Sequence, residues 1–259
     1  MNIVVLVKQT PDTAKLSKRM DGIQLSADGG PRIVNPWDEY AIEAGLVLAE
    51  KNKGSKVTAL CLGKPEATEA LKRAIAMGVN DAILVSDSAL AQADSLVTAK
   101  VLAAAIKKIG NIDLVLAGRS SIDGNNAATA VQTAALLDMS MLSYVAKIEA
   151  VEKERITVVR AVEAGRETVS DTLPAIVSVV REINEPRYPS FMKIRKAAKA
   201  KIPTWGVADL GLSNGDVTPQ VSWEMALPAA REAKVELIEG TSAEVAKLLA
   251  DKLMGEKVI

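Results

Sequence analysis

What most constrains this chain is an alternation. Up to about Leu137, short Val/Ile/Leu runs exchange with amphipathic or Ala-rich segments, punctuated by Gly, Pro and Asn. Asn2–Lys8 (NIVVLVK), Lys56–Leu62, Asp81–Ser86 and Asp113–Ala117 read as strands, and the most nearly continuous of these apolar runs mark burial on both faces. Asn35 and Pro36 open a helix over WDEYAIEAGLVLAEKNK, because Asn is a good N-cap and Pro suits the first helical position. Pro65 opens a second helix, EATEALKRAIAM, which Gly78 closes; Ala93–Ile109 is a third, ended by Gly110, and a fourth runs to about Leu137. Strand and helix in turn at this spacing require parallel strands joined by right-handed crossovers. The expected fold is α/β, a doubly wound, mostly parallel, Rossmann-like sheet.

The pattern then changes. Tyr144–Ala150, Thr157–Ala161, Glu167–Thr172 and Ala175–Val180 are short β-prone runs broken at Glu152–Glu154 and Gly165, and they predict antiparallel additions beside the parallel sheet. Residues 183–232 hold Pro186, Pro189, Pro203, Pro219 and Pro228, half of the chain's ten prolines, with little periodicity, which predicts an extended arm. Lys234–Ile238 is a strand candidate, and Thr241 with Glu244 forms a capping box opening the helix EVAKLLADKLM. A lone strand and helix cannot bury their own faces, so another chain is the expected surface.

Composition removes whole classes of chemistry. Among 259 residues there is no His, the commonest general base and metal ligand, and a single Cys, Cys61. No catalytic residue and no metal site are therefore expected, and Cys61 reads as a small buried strand residue. Lys+Arg and Asp+Glu are both 32, and this zero balance argues against nucleic-acid binding. Aromatics are only 3%, so aliphatic side chains must build the core. The start, MNIVVLVKQ, reads as a first strand and not as a signal peptide. No run approaches the ~20 apolar residues of a membrane span. A cytoplasmic, non-membrane protein is expected.

Two stretches stand out. The loop after the fourth strand contains Gly118, Arg119, Ser120, Ser121, Ile122, Asp123, Gly124, Asn125, Asn126, Ala127, Ala128 and Thr129. Ligands of open α/β sheets sit outside the carboxyl ends of the strands, Gly permits close backbone approach, and Asp123, Asn125 and Asn126 suit the cap of the next helix, whose free N–H groups attract anions. A phosphate cradle and a well-capped surface loop both fit. Asn35, Pro36, Trp37 and Asp38, just before the first helix, either only start it or also line a pocket. Leu60–Lys64 lacks the spacing and the Ser/Thr of a P-loop, and no G-x-G-x-x-G follows any strand. The second stretch, NEPRYPSFMKIRKAAKAK at 184–201, carries the only Phe of the chain, Phe191, among prolines and cations. It fits a solvated face or, better, docking to an acidic protein partner, with charge steering the encounter and an apolar anchor holding it.

NEPRYPS at 184–190, LPAIVSVV at 173–180, VRAVEAGRETV at 159–169, VNPWDEYAIEAG at 34–45, AIAMGVNDAILVSD at 74–87 and the 118–129 loop together resemble the β-subunit of electron transfer flavoprotein, from Met1 to about Leu212 in order. LIEGTSAEVAKLLADKL is similar to the C-terminal end of some bacterial members. The resemblance implies three parts: a nucleotide-binding α/β domain at 1–183, a partner-recognition loop at 184–203, and a C-terminal arm at 204–259 whose strand and helix pack on an α-subunit. It also implies an FAD held mainly by that α-subunit. Electrons then pass from flavin dehydrogenases such as acyl-CoA dehydrogenases to a quinone oxidoreductase. The nucleotide pocket would be lined by Leu6, Asn35, Pro36, Trp37, Asp38, Leu62, Gly63 and Gly118 through Thr129. In most members it holds a structural AMP; in bifurcating members it holds a second FAD that takes hydride from NADH. IDGNNAATA departs from both common loop patterns, with Gly124 as in one and Thr129 as in the other, while Ser95 and Thr98 stand where bifurcating members place hydroxyls against their second flavin. AMP is the expected ligand and FAD the alternative. Phe191 takes the anchor position, flanked by Tyr188 and Met192.

Overall fold

A computed structural model describes residues 1–15, 31–222 and 235–258. They fall into two compact units, one within Met1–Trp223 and one within Glu224–Ile259. The strands of the first are β1 (Asn2–Leu6), β2 (Gln9–Pro11), β3 (Arg32–Val34), β4 (Lys56–Leu62), β5 (Asp81–Val85), β6 (Leu114–Gly118), β7 (Ser140–Val151), β8 (Arg155–Val162), β9 (Gly165–Thr172), β10 (Ala175–Val179) and β11 (Thr204–Trp205). Its helices are α1 (Pro36–Lys51), α2 (Thr68–Met77), α3 (Ser95–Ile109), α4 (Thr129–Leu137) and α5 (Phe191–Ala198), and the second unit contains α6 (Ser242–Gly255).

Nine strands form one sheet in the order β11-β5-β4-β1-β6-β10-β7-β8-β9, and β2 pairs with β3 as a separate antiparallel ribbon. Pairing is parallel from β11 through β7, and antiparallel for β7–β8 and β8–β9. The doubly wound α/β expectation therefore holds. Alternate side chains of each buried strand serve opposite faces, as strand geometry requires. Ile3 and Val5 of β1 join Val57, Ala59 and Cys61 of β4 under α1 and α2. Val4 and Leu6 join Leu60, Val115 and Ile176 under α3 and α4. The chain winds outward from β1 through β4 to β5, then returns to β1's other side with β6. That reversal, between β1 and β6, is the switch point at which such folds open a crevice.

Four expectations are corrected. Ala175–Val179 is not one of the antiparallel additions. It is a central parallel strand between β6 and β7, buried at every position, as its unbroken AIVSV run requires. The Pro-rich region is not wholly extended. Ser190 accepts a hydrogen bond from Lys193 N and starts α5, and Thr204–Trp205 adds β11 to the free edge of β5. Asn35 stands at the N-cap of α1, but its side chain makes no cap bond, for a reason given below. Val235–Glu239 forms no strand, and Lys234 of that candidate lies outside the described residues. The capping box of Thr241 and Glu244 is present, and α6 buries none of its residues. Among the described residues no helix is long and apolar enough to cross a membrane.

Candidate functional site

Asn35 organises the site, although it is neither charged nor reactive. It is almost fully buried, 1% exposed. Its Nδ2 donates to Asp38 Oδ1 at 2.9 Å and to Ser120 O at 2.9 Å, and its Oδ1 accepts from Ile122 N at 3.1 Å. Both ends of the amide are thus spent on tying the start of α1 to the loop after β6, which leaves nothing to cap the helix.

Asp38 continues the same junction. Its Oδ2 accepts from Lys8 N at 2.7 Å, so the carboxylate also holds the end of β1. Burial pushes its pKa up to about 7, against hydrogen bonds from Lys8 N, Asn35 and the Gly118 N–H that favour the charged form. Gly118 lies so close that a Cβ would sit 2.6 Å from Asp38 Oδ1 and from Trp37 Cβ. The close approach that Gly118 permits is therefore between β6 and α1.

These contacts frame a cavity of about 690 Å³ at the carboxyl ends of β1, β4 and β6. Leu6, Asn35, Asp38, Leu62, Gly118, Arg119, Ser120, Ser121, Asp123, Gly124, Asn126, Ala127 and Thr129 line it. Pro36, Trp37, Gly63, Ile122, Asn125 and Ala128 do not, and each has a supporting place. Pro36 starts α1, and Trp37 lies under the Arg119 guanidinium at 4.6 Å. Gly63 N donates to Val85 O, and Ile122 N donates to Asn35. Asn125 accepts from Ser120 Oγ at 2.9 Å, and Ala128 stands at the N-cap of α4.

The opposite wall comes from Leu90, Ala93, Asp94, Ser95, Thr98 and Leu102, at and before the first turns of α3. Ser95 and Thr98 were anticipated. Leu90, Ala93, Asp94 and Leu102, with Val7, Lys8, Leu60, Ala117 and Ala130 elsewhere in the lining, were not. A signal existed for two of them: Lys8 is the first cation after the β1 run, and Asp94 immediately precedes a helix.

The loop between β6 and α4 is irregular and held by its own side chains. Asn125 and Ala127 take left-handed backbone, with φ of 44° and 52°, a region that side-chain-bearing residues occupy at a cost and often at functional sites. Asn126 Oδ1 accepts from Ala128 N, and Asp123 Oδ1 from Gly124 N and Lys8 Nζ (2.8 Å). None of the three caps α4, contrary to expectation, and the α4 N-terminus has no side-chain cap. Burial alone would raise the pKa of Asp123, but hydrogen bonds from Lys8 and Ser121 outweigh it and hold the group below its usual range. Arg119 Nε is buried without a hydrogen-bond partner, and its guanidinium lies against the Trp37 ring. Cys61 is fully buried in β4, and burial, aided by the charge of Asp38, pushes its thiol up to about 12.

A second feature lies on another part of the same unit. Arg187 clamps Glu43 of α1 through Nε (2.8 Å) and Nη2 (2.9 Å) and reaches Glu50 through Nη1 (2.6 Å). This fixes NEPRYPS against α1. Beyond it α5 packs on α2, burying Ala197, with Lys193 Nζ donating to Met77 O. The outer surface carries Tyr188, Phe191 and Met192, 89%, 74% and 72% exposed, joined by Ile194. Large apolar side chains this exposed and this close together are uncommon on a free surface.

A family model for the electron transfer flavoprotein domain matches residues 23–210. The chain belongs to the electron transfer flavoprotein β-subunit family. It is 38% identical to the caffeyl-CoA reductase–Etf complex subunit CarD of Acetobacterium woodii, over the whole of both chains. It is 36% and 37% identical to the electron transfer flavoprotein β-subunits of Clostridium acetobutylicum and Bacillus subtilis, again over the full length of each. Its cavity lies at the switch point, where open α/β sheets bind their ligands.

Proposed function

We propose that the chain is the β-subunit of a heterodimeric electron transfer flavoprotein and holds an adenine nucleotide in the 690 Å³ cavity. In this reading it passes single electrons from flavin dehydrogenases to a quinone oxidoreductase through the FAD carried mainly by the α-subunit. The observation that carries it is the cavity's polar end. Asn35 and Asp38 fix the 118–129 loop in place there, and that loop leads into the start of α4, which has no side-chain cap and lines the cavity at Thr129 and Ala130. A phosphate would be held by the N–H groups of this loop and helix start. The bound flavin supplies the redox chemistry; this chain's residues bind, orient and exclude water.

The polar lining residues from the 118–129 loop, with Asn35 and Asp38, support AMP. The volume favours a second reading. At about 690 Å³ the cavity lies in the upper part of the range usual for cofactor sites and has room for more than the smaller ligand. The part lined by Leu90, Ala93 and Leu102 and the hydroxyls of Ser95 and Thr98 has the apolar character a second FAD would use. Purifying the αβ pair, releasing its nucleotides with acid and quantifying them decides between these. One FAD and one AMP per heterodimer supports the carrier with structural AMP. Two FAD, with bleaching by NADH, supports the bifurcating form. No adenine nucleotide beyond the α-subunit's FAD would refute both.

Tyr188, Phe191, Met192 and Ile194 form the docking anchor for the partner dehydrogenase. The CarD relative is named for a complex with a reductase of a CoA thioester, which supports a partner of the acyl-CoA dehydrogenase class. Burying one Phe is worth about 1.5–3 kcal/mol. Phe191→Ala should therefore slow electron transfer from the dehydrogenase at least tenfold and leave nucleotide content and stability unchanged; unaltered transfer kinetics would count against the anchor.

A further inference from the structure

The Asp94 carboxylate makes two sets of contacts, and only one is local. It is 4% exposed and lines the cavity. Its Oδ1 accepts from Val97 N at 2.8 Å and caps α3. Its Oδ2 accepts from Gln220 N at 2.7 Å and Val221 N at 3.2 Å, residues 126 and 127 positions further along the chain. The Val97 N–H first, and then the N–H groups of Gln220 and Val221, hold the carboxyl below its usual range despite burial.

Gln220 and Val221 end a strap that begins at Pro203. The strap enters as β11, with Leu84 N donating to Pro203 O and Ser86 N to Trp205 O. Val207 N donates to Asp87, and Val207 and Val217 are buried in the core layer that includes Leu90 and Val97. Lys108 lies over the Trp205 ring at 4.5 Å and donates to Asp209 O. The strap is thus fastened along the β5 edge and α3, and its last fastening is the carboxylate in the cavity wall.

We infer that Asp94 is a positioning residue that couples occupancy of the cavity to docking of the Pro203–Val221 strap. The ligand class, an adenine nucleotide, rests on the reading proposed above. With the strap docked, Asp94 is pinned from outside and the first turn of α3 presents Ser95 and Thr98 to the cavity. With the strap released, the carboxylate loses two donors and that wall loses its brace. A ligand that touches the braced wall must favour the docked strap, and by linkage the docked strap must favour the ligand by the same factor.

The test uses the full chain with its α-subunit, stripped of nucleotide and titrated with AMP and, separately, FAD. Binding is followed by calorimetry and amide exchange at 217–222 by mass spectrometry. Asp94→Ser keeps a good N-cap for α3 and cannot reach both N–H groups of the strap. Gln220→Pro removes one donor from the strap side and leaves α3 untouched. Each variant is expected to weaken nucleotide binding by roughly fivefold or more, the lower end of measured couplings. Nucleotide is expected to slow wild-type strap exchange by a similar factor and the variants' far less. If both variants bind nucleotide as wild type while their straps exchange faster, Asp94 merely fastens the strap and the coupling is overturned. If wild type binds neither nucleotide, the proposed function itself falls, and the coupling with it.

Discussion

Replacing Gly118 by Ala tests whether the close approach of β6 to α1 builds the site. A methyl group there would sit 2.6 Å from Trp37 Cβ, 2.7 Å from Trp37 C and 2.6 Å from Asp38 Oδ1. Two of these three atoms belong to Trp37's backbone or the root of its side chain and cannot swing away, so the start of α1 must move. Overpacking of this kind costs about 1–3 kcal/mol. The shift also stretches the buried hydrogen bonds of Asp38, at about 1 kcal/mol each. Reduced freedom of the unfolded chain returns about 0.4–1 kcal/mol. The net expectation is a loss of about 2–3 kcal/mol, which for a domain this size lowers Tm by roughly 5–10 °C. Thermal and urea unfolding, read with nucleotide content, measure it. Gly124→Ala is the control in the same loop: its methyl group would meet only Ser121 Oγ, at 3.6 Å, and the stability change should stay within about 0.5 kcal/mol. Equal stability of the two variants would show that β6 and α1 do not depend on this contact.

Three other perturbations bear on the same architecture. The Asp38 carboxyl, raised from 3.8 to about 7, is still protonated in the folded chain where the unfolded chain has ionised, so its contribution is full below about pH 4 and falls as pH rises to 7. Urea midpoints taken between pH 5 and 8 should show this slope, and Asp38→Asn should flatten it; an unchanged slope would assign it to other groups. Arg187→Ala leaves Glu43, only 7% exposed, without its counter-charge and should cost about 3 kcal/mol, with new proteolysis around 184–190, whereas Arg187→Lys should recover part of the loss. Cys61, with its thiol pushed up to about 12, should resist a thiol reagent in the native protein and react at once in urea; rapid native labelling would contradict its burial.

The parallel part of the fold was legible because its rule is local: continuous apolar runs between capped helices. The same rule, applied to AIVSV, already marks β10 as buried on both faces; proximity in sequence to the polar strands β8 and β9 hid it. The start of α5 was written in Ser190, but the prolines on either side of that helix and its cations drew the reading toward a loop. One wall of the cavity, from Asn35 through the 118–129 loop, was visible because Gly, Asp and Asn clustered at a strand end. The facing wall was not. Leu90, Ala93 and Leu102 look like ordinary residues in and just before a helix, and only the return of the chain to β1's other side brings α3 opposite that loop.

Asp38 and Asp94 show why such a site is only half readable. Both stand at the start of a helix, where an acid complements the N-terminus, and locally both are capping signals. The folded chain separates them. Asp38, in the first turn of α1, is pressed against Gly118 of β6, where burial outweighs its donors and raises its pKa to about 7. Asp94 keeps the Val97 N–H and receives two more from Gln220 and Val221, and its pKa falls. The difference lies in donors delivered from 126 and 127 residues away and in how tightly two elements close, quantities no local pattern encodes. One acid thereby becomes a brace for β1 and β6, and the other becomes the point where cavity and strap meet.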